Sequence, residues 1–204
     1  MARVLIIFAH PALEKSRVHR QLVQQIPNVA GITFHDLYEL YPTFDIDVQR
    51  EQHLLSTHDM IVLQHPFFWY STPALVKQWE DLVLEHGWAY GSTGNALQGK
   101  RVLSLITTGG PLATYQHEGY NRFTIRELLA PIEQTAYLCK MDYLPPYVIP
   151  GSHRLTIPDI EQAAVQYRHL LTWLRDDKID FEAVQHYSLL NEALEPMLRR
   201  EVLA

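Results

Sequence analysis

Apolar runs alternate with amphipathic stretches along most of the chain. Val4-Leu5-Ile6-Ile7-Phe8-Ala9 contains no polar residue, is too short for a helix and is rich in branched side chains, so it predicts a parallel strand covered on both faces. From Val18 the apolar residues Leu22, Val23 and Ile26 recur at helical spacing. Pro27-Asn28 and Gly31 stop that helix before Ile32-Thr33-Phe34-His35 resumes as a second strand. Val48 to Ser56 reads as a short helix and Met60 to Gln64 as a third buried strand. Pro73 then opens a helix whose inward stripe is Leu75, Val76, Trp79, Leu82 and Val83. A polar loop from Gly91 to Gly99 leads to a fourth strand over Val102 to Thr107. A helix from Thr124 to Leu138, interrupted or shifted at Pro131, and a fifth strand around Tyr147-Val148-Ile149 follow. Ile160, Ala164, Tyr167, Leu171 and Leu174 mark a closing helix.

Parallel neighbours need crossovers, so this alternation predicts an α/β protein with an open five-stranded parallel sheet, helices on both faces and strand order 2-1-3-4-5. Ligands of such sheets lie outside the carboxyl ends of the strands. Here those ends are His10-Pro11, Gln64-His65-Pro66 and Thr107-Thr108-Gly109-Gly110. The charged break Arg175-Asp176-Asp177-Lys178 separates a domain over 1–175 from a helical extension over 176–204. That extension carries the stripe Phe181, Val184, Tyr187, Leu190, Leu194 and Leu198, which would cover a neighbouring subunit or the chain's own sheet.

Composition narrows the function. The 204 residues and 23.7 kDa suit one sizeable domain. A formal charge of -6 with no block of Lys or Arg argues against nucleic acid as the partner. The single Cys139 excludes an internal disulfide or a multi-cysteine metal cluster and fits a reducing cytoplasm. The apolar runs fall far short of the ~20 residues that span a bilayer, so a soluble protein is expected. The scattered histidines form no HExxH, so no metal site is expected.

The three loops carry the candidate chemistry. In His10-Pro11-Ala12-Leu13-Glu14-Lys15-Ser16-Arg17 the hydroxyl of Ser16 falls at a helix N-cap, where free backbone N–H groups suit a phosphate, with an ordinary structural cap as the other reading. Neither GxxxxGK[ST] nor GxGxxG is present. Four adjacent aromatics, Phe67-Phe68-Trp69-Tyr70, fit no strand or helix periodicity and offer flat surface to a planar ring, with an apolar lid or a subunit interface as the other reading. Gly109-Gly110, lacking Cβ atoms, would let a ligand approach the backbone.

Together with Lys77-Gln78-Trp79, Gly87-Trp88-Ala89-Tyr90-Gly91, Gly99-Lys100 and Leu144-Pro145-Pro146, these segments resemble the flavodoxin-like NAD(P)H:quinone oxidoreductase family. The likeness is strongest to its Kef-type branch, ancillary subunits of glutathione-gated potassium efflux antiporters, and Tyr41-Pro42-Thr43-Phe44-Asp45-Ile46-Asp47 fits that branch. The resemblance covers roughly residues 3 to 174. It implies a three-layer α/β/α sandwich that binds FMN, with FAD as the alternative. It assigns His10, Ser16, Arg17, Val18 and His19 to the flavin phosphate and ribityl chain. Pro66, Phe67, Phe68, Trp69 and Tyr70 would lie along the isoalloxazine ring, and Thr107, Thr108, Gly109 and Gly110 at its pyrimidine end. Tyr115 matches the family's catalytic tyrosine. Asn121 stands where the family usually carries a histidine and cannot supply a cation; His117 is close enough in sequence to substitute. His19 stands where Asn is common.

The implied activity is two-electron reduction of quinones by NADH or NADPH, by ping-pong transfer through flavin N5. The alternative is a regulatory ancillary subunit on a cytoplasmic antiporter domain, peripheral to the inner face of the cell membrane. The family also implies a homodimer with the active site at its interface, where Tyr90 would approach the partner's flavin.

Overall fold

The computed structural model of the chain describes residues 1–26 and 31–202. Four strands, β1 (Val4–Phe8), β2 (Ile32–Asp36), β3 (Met60–Pro66) and β4 (Arg101–Thr107), pair in parallel with two short ones, β5 (Asp142–Tyr143) and β6 (Tyr147–Ile149). The order is β2-β1-β3-β4-β5, with β6 also on β4, which is the expected flavodoxin-like sheet. Its fifth position is a broken strand. β5 pairs with Arg101 and Val102, and β6 with Leu105 to Thr107. Leu144-Pro145-Pro146 fills the gap, because proline has no N–H to give the ladder.

The helices are α1 (Arg17–Val23), α2 (Leu37–Leu40), α3 (Val48–Thr57), α4 (Ala74–Val83), α5 (Ile125–Leu128), α6 (Ala130–Leu138), α7 (Ile157–Arg175), α8 (Phe181–Val184) and α9 (Leu190–Val202). Two expectations change. The helix expected over Thr124 to Leu138 is two helices. Thr124 caps α5 through a capping box with Glu127, and Pro131 sits in the first turn of α6, where its missing N–H leaves no bond unmade. Leu82 is 38% exposed, because the inward face of α4 follows Leu75, Val76, Trp79 and Val83 and leaves Leu82 on its solvent shoulder. The expected Pro27-Asn28 stop lies outside the described residues.

Alternation along β1 explains the layers. Leu5 and Ile7 pack with Leu55 of α3, Leu75 and Trp79 of α4, and Ile132 and Ala136 of α6. Val4, Ile6 and Phe8 pack with Val18 and Leu22 of α1 and with Ile160, Tyr167 and Leu171 of α7. On the first face Glu51, only 1% exposed, accepts from His35 Nε2 at 2.8 Å, the Tyr41 hydroxyl at 2.6 Å and Trp79 Nε1 at 2.9 Å. Burial alone would raise its carboxyl, yet those donors hold it below the ordinary value. One carboxylate thereby ties β2, α3, α4 and the segment after α2 together.

The tail lies against the chain's own sheet. Val184, Leu190 and Leu194 are buried with Leu174 and Tyr147. Asn191 imitates a neighbouring strand: its Oδ1 accepts from the Val148 N–H at 2.8 Å and its Nδ2 donates to the Val148 carbonyl at 2.9 Å. Gln185 Nε2 likewise donates to the Tyr143 carbonyl at 3.0 Å. These bonds occupy the outer edge of the broken fifth strand, which would otherwise offer itself to another chain. Replacing Asn191→Ala strips both partners from the buried Val148 peptide groups and is expected to lower the unfolding free energy by about 2 kcal/mol. The check is a lower urea midpoint at unchanged m-value; an unchanged midpoint would show that water replaces the amide without loss.

Candidate functional site

The ladder continues beyond the strands and fixes where each loop begins. Ala9 N–H donates to the Gln64 carbonyl at 3.0 Å, Phe67 N–H to Thr107 at 2.9 Å and Thr108 N–H to Ile149 at 3.0 Å. In the first loop a 3-10 turn over Leu13–Lys15 leads into Ser16, whose Oγ accepts from the His19 N–H at 3.1 Å. The first N–H groups of α1 have no partner within the helix, and Lys15 and Arg17 add positive charge. His10 Nδ1 accepts from the Ala12 N–H at 3.1 Å, so in the neutral ring Nε2 carries the hydrogen. Burial lowers the pKa of His10, which favours that neutral form.

The aromatic loop divides. Phe67 is buried against Tyr115, with ring centroids 6.3 Å apart. Phe68 meets the edge of His10 at 6.0 Å, and Trp69 stands 93% exposed. Trp69 and Tyr70 have φ of 50° and 63°, and Ser71 N–H donates to the Phe68 carbonyl at 3.0 Å. That is a turn with two left-handed central residues, the geometry Asn-Gly adopts without strain. Bulky aromatics there store about 1–3 kcal/mol each, a kind of strain that clusters at ligand clamps.

The glycine loop differs in one respect from its expectation. A Cβ on Gly109 would lie 2.9 Å from His153 Cδ2, and one on Gly110 would lie 2.8 Å from Thr114 Oγ1. The space that these glycines leave is therefore taken by the protein's own side chains. The buried Thr108 hydroxyl donates to the Gly110 carbonyl at 2.8 Å. Tyr115 is buried beside this loop; burial raises its phenol, against the opposing effects of the Thr108 hydroxyl and the Gly110 backbone, so it stays a neutral donor. Asn121 is tied to the aromatic loop, accepting from the Tyr70 hydroxyl at 3.2 Å and donating to Thr114 Oγ1 at 3.3 Å. His117 is held by Glu127 at 2.8 Å on the exposed side.

A fourth loop, which sequence reasoning missed, completes the site. Gly151 N–H donates to Gly110 at 3.0 Å and Ser152 N–H to Thr108 at 2.9 Å, which brings Ser152, His153 and Arg154 to the cavities. The signal was available, since this loop is the carboxyl end of the fifth strand. Two adjoining cavities result. The main one, about 600 Å³, reaches from His10, Ser16, Arg17 and Val18 past Pro66 and Phe68 to Thr107. The second, about 360 Å³, is lined by Tyr70, Gly110, Tyr115, Tyr120, Asn121 and Arg154. Both share Phe67, Trp69 and Gly109. A larger groove of about 840 Å³ lies along the fifth-strand edge, where Arg101 is engaged with Asp177 and the Phe181 ring; it touches none of these loops.

His19 is placed differently from the other residues expected at the phosphate. Its ring is 1% exposed and faces the sheet, bonded to Thr107 Oγ1 at 3.1 Å, and it lines neither cavity. What it offers to the first loop is its backbone N–H, bonded to Ser16. His65 is wholly buried on β3. Its Nδ1 lies 3.0 Å from the Pro66 carbonyl, and its Nε2 is the one buried side-chain nitrogen or oxygen without a partner among the described residues. Burial holds its pKa down at about 4.

The sequence model of a family described as having a flavodoxin-like fold matches residues 2–171. A glutathione-regulated potassium-efflux system ancillary protein, KefG of Pectobacterium carotovorum, is 46% identical over 158 residues, 78% of this chain and 86% of that protein. An uncharacterised NAD(P)H oxidoreductase of Bacillus subtilis, YrkL, is 44% identical over 162 residues, 79% of this chain and 93% of that one. Among solved structures, general stress protein 14 of Treponema denticola in complex with FMN superimposes with a TM-score of 0.79 at 39% identity, covering 84% of this chain and 99% of that one. An NADPH-quinone reductase from P. pentosaceus gives 0.75 at 35%, covering 82% and 96%. A structure described as a thermophilic tryptophan halogenase from Streptomycin violaceusniger gives 0.78 at 42%, covering 81% and 96%, so likeness alone does not select a substrate.

Two consequences can be measured. Trp69→Asn keeps the left-handed turn with a residue that tolerates it and is expected to raise the unfolding free energy by about 1 kcal/mol while weakening ligand binding in the main cavity. Equal or lower stability would mean that the turn stores no strain. An unfolded imidazole takes up its proton near pH 6.5, but His65 in the fold does so only near 4. Stability is therefore complete above pH 6.5 and falls with acidification toward 4 by ~1.4 kcal/mol per pH unit from His65, with His19 acting in the same direction. Urea titrations between these limits check the slope, and a flat profile would contradict it.

Proposed function

This chain belongs to the family with the flavodoxin-like fold, and on that premise we propose that it is an FMN-dependent NAD(P)H:quinone oxidoreductase. The carrying observation is the pair of adjoining cavities, one polar at Ser16 and aromatic at Phe68 and Trp69, the other closed by Tyr115 and Asn121. The FMN-bound relative and the relatives named as NAD(P)H oxidoreductase and NADPH-quinone reductase support this reading.

The donor set fits a flavin mononucleotide. Ser16 and the free N–H groups that open α1, with Lys15 and Arg17 beside them, suit a phosphate. Phe68 and Trp69 suit the ring system, and the backbone around Gly109 suits its polar edge. Ser152 and His153 also line the main cavity, and FAD is the second choice. A flavin, when bound, supplies two-electron hydride chemistry, so NADH or NADPH and then the quinone would use the second cavity in turn. Tyr115, neutral and buried, would hold a hydrogen-bond donor beside the ring of a bound flavin, where it would favour negative charge. Asn121 orients Tyr70 and Thr114 and supplies no proton, which leaves Tyr115 as the principal donor on this wall.

A homodimer belongs to the same reading. Trp69 and Tyr120, 93% and 90% exposed at the mouth, are apolar surface suited to cover by a second copy. No helix among the described residues is long and apolar enough to cross a membrane. The proposed location is the cytoplasm. A second reading, an ancillary subunit at the inner membrane face, is supported by the KefG relative and is compatible with catalysis.

The purified protein is expected to be yellow, or to become so with FMN, and to oxidise NADH or NADPH with menadione. Tyr115→Phe should retain FMN and lose about 10- to 100-fold in kcat. A protein that neither binds FMN or FAD nor oxidises NAD(P)H would overturn the proposal, and full turnover in Tyr115→Phe would remove the tyrosine from it.

A further inference from the structure

A chain of hydrogen bonds runs under the main cavity through four buried side chains from four elements. The Tyr167 hydroxyl of α7 donates to Gln64 Oε1 of β3 at 2.8 Å. Gln64 Nε2 reaches His19 Nδ1 of α1 at 3.5 Å, and His19 Nε2 reaches Thr107 Oγ1 of β4 at 3.1 Å. Tyr167 and Gln64 are fully buried, His19 is 1% exposed and Thr107 6%. The Tyr167 end is fully buried, so the chain serves to orient groups.

Its direction follows from the donors. Gln64 is the one protein partner of the Tyr167 hydroxyl among the described residues, and a reversed chain would leave that buried O–H without an acceptor. With the Gln64 oxygen accepting from Tyr167, its amide N–H faces His19, so Nδ1 must be bare and the hydrogen of the neutral ring must sit on Nε2. Burial, then the neighbouring His10 and His65, keep the ring neutral. Thr107 Oγ1 accepts from His19, and the hydroxyl's own hydrogen is unspent within the protein where Thr107 lines the cavity.

We propose that His19 is a positioning residue: through this chain it fixes the Thr107 hydroxyl as a hydrogen-bond donor into the main cavity, toward an acceptor atom of the bound cofactor. Only the identity of that acceptor rests on the flavin reading. The position could have served a phosphate directly; here it acts through a strand residue instead.

Nitrogen-15 NMR of the flavin-free protein at neutral pH is expected to show His19 as the Nε2–H tautomer, and an Nδ1–H tautomer would overturn the chain's direction. In FMN titrations His19→Leu should weaken binding about fivefold, and His19→Gln, whose amide can donate to Thr107, should restore most of the loss. In a Thr107→Val background His19→Leu should have no further effect. An equal loss with and without the Thr107 hydroxyl would show a merely structural role. Should His19→Leu fail to fold, Tyr167→Phe keeps the ring, removes the anchoring hydroxyl and is expected to give a mixture of tautomers; an unchanged Nε2–H tautomer would overturn the anchoring role. A wild-type protein that binds no flavin would overturn the proposed function, while the NMR result still decides the direction of the chain.

Discussion

The backbone ladder that runs past the strand ends is the constraint on which the site depends. A parallel sheet aligns its carboxyl ends, but loops beyond those ends are ordinarily free to diverge. Here Ala9, Phe67, Thr108 and Ser152 each donate to the neighbouring strand or loop at 2.9 to 3.0 Å, so the loops leave the sheet as continuations of it. The register decides the rest. Phe8 lies opposite Gln64, and Pro66 opposite Thr107. A slip of one residue would move Gln64 and Thr107 to the opposite face of the sheet, away from His19. Precision comes from the rigid centre, and chemistry from what is attached at its end.

Each face of the sheet also buries a polar group that only one arrangement satisfies. On one side Glu51 needs donors from His35, Tyr41 and Trp79. On the other Gln64 needs Tyr167 and His19. Apolar packing tolerates small shifts of a helix over a sheet, whereas a carboxylate with three fixed partners does not. Such groups are expensive when unpaired, so they select the native docking of α1, α3, α4 and α7 more sharply than they stabilise it. His65 Nε2, without a partner among the described residues, and the left-handed Trp69-Tyr70 turn show where the protein departs from the most stable arrangement. Both lie on the segment that leads into the aromatic wall of the cavity.

This division sets what could be read from the sequence. β1 announces itself because burial on both faces leaves a run without polar residues, the other strands read as short apolar-rich segments, and the three loops follow from the strand ends. The fate of His19 does not follow, because its partners lie 45 and 88 positions away and Tyr167 lies 103 positions from Gln64. Helical spacing placed His19 on α1 but could not say that its ring faces the sheet. Four adjacent aromatics signalled a surface, but not that two of them adopt positive φ. Leu82 fits an apolar stripe on α4 and still faces solvent, since the buried face follows Leu75, Val76, Trp79 and Val83 and leaves Leu82 on its shoulder. The loop over Ser152 to Arg154 was missed for a different reason: the rule about strand ends applies to the fifth strand as well, whose end at Ile149 the sequence marks, but it was applied only to the first, third and fourth.

The same broken strand explains the tail. A fifth strand interrupted by two prolines cannot present a regular edge, and its two fragments need different partners. Gln185 serves β5 and Asn191 serves β6. Leu190 N–H donates to the Pro146 carbonyl at 3.0 Å, in the gap between them. Side-chain amides suit the task because each carries the donor and acceptor of a peptide group without continuing the sheet, so the edge is satisfied and closed in one step. The tail therefore lies along the side of the sheet, while the cavities open at the ends of its strands. Edge protection and access to the site are met by separate parts of the chain, and α9 can pack tightly without narrowing the mouth that Trp69 and Tyr120 surround.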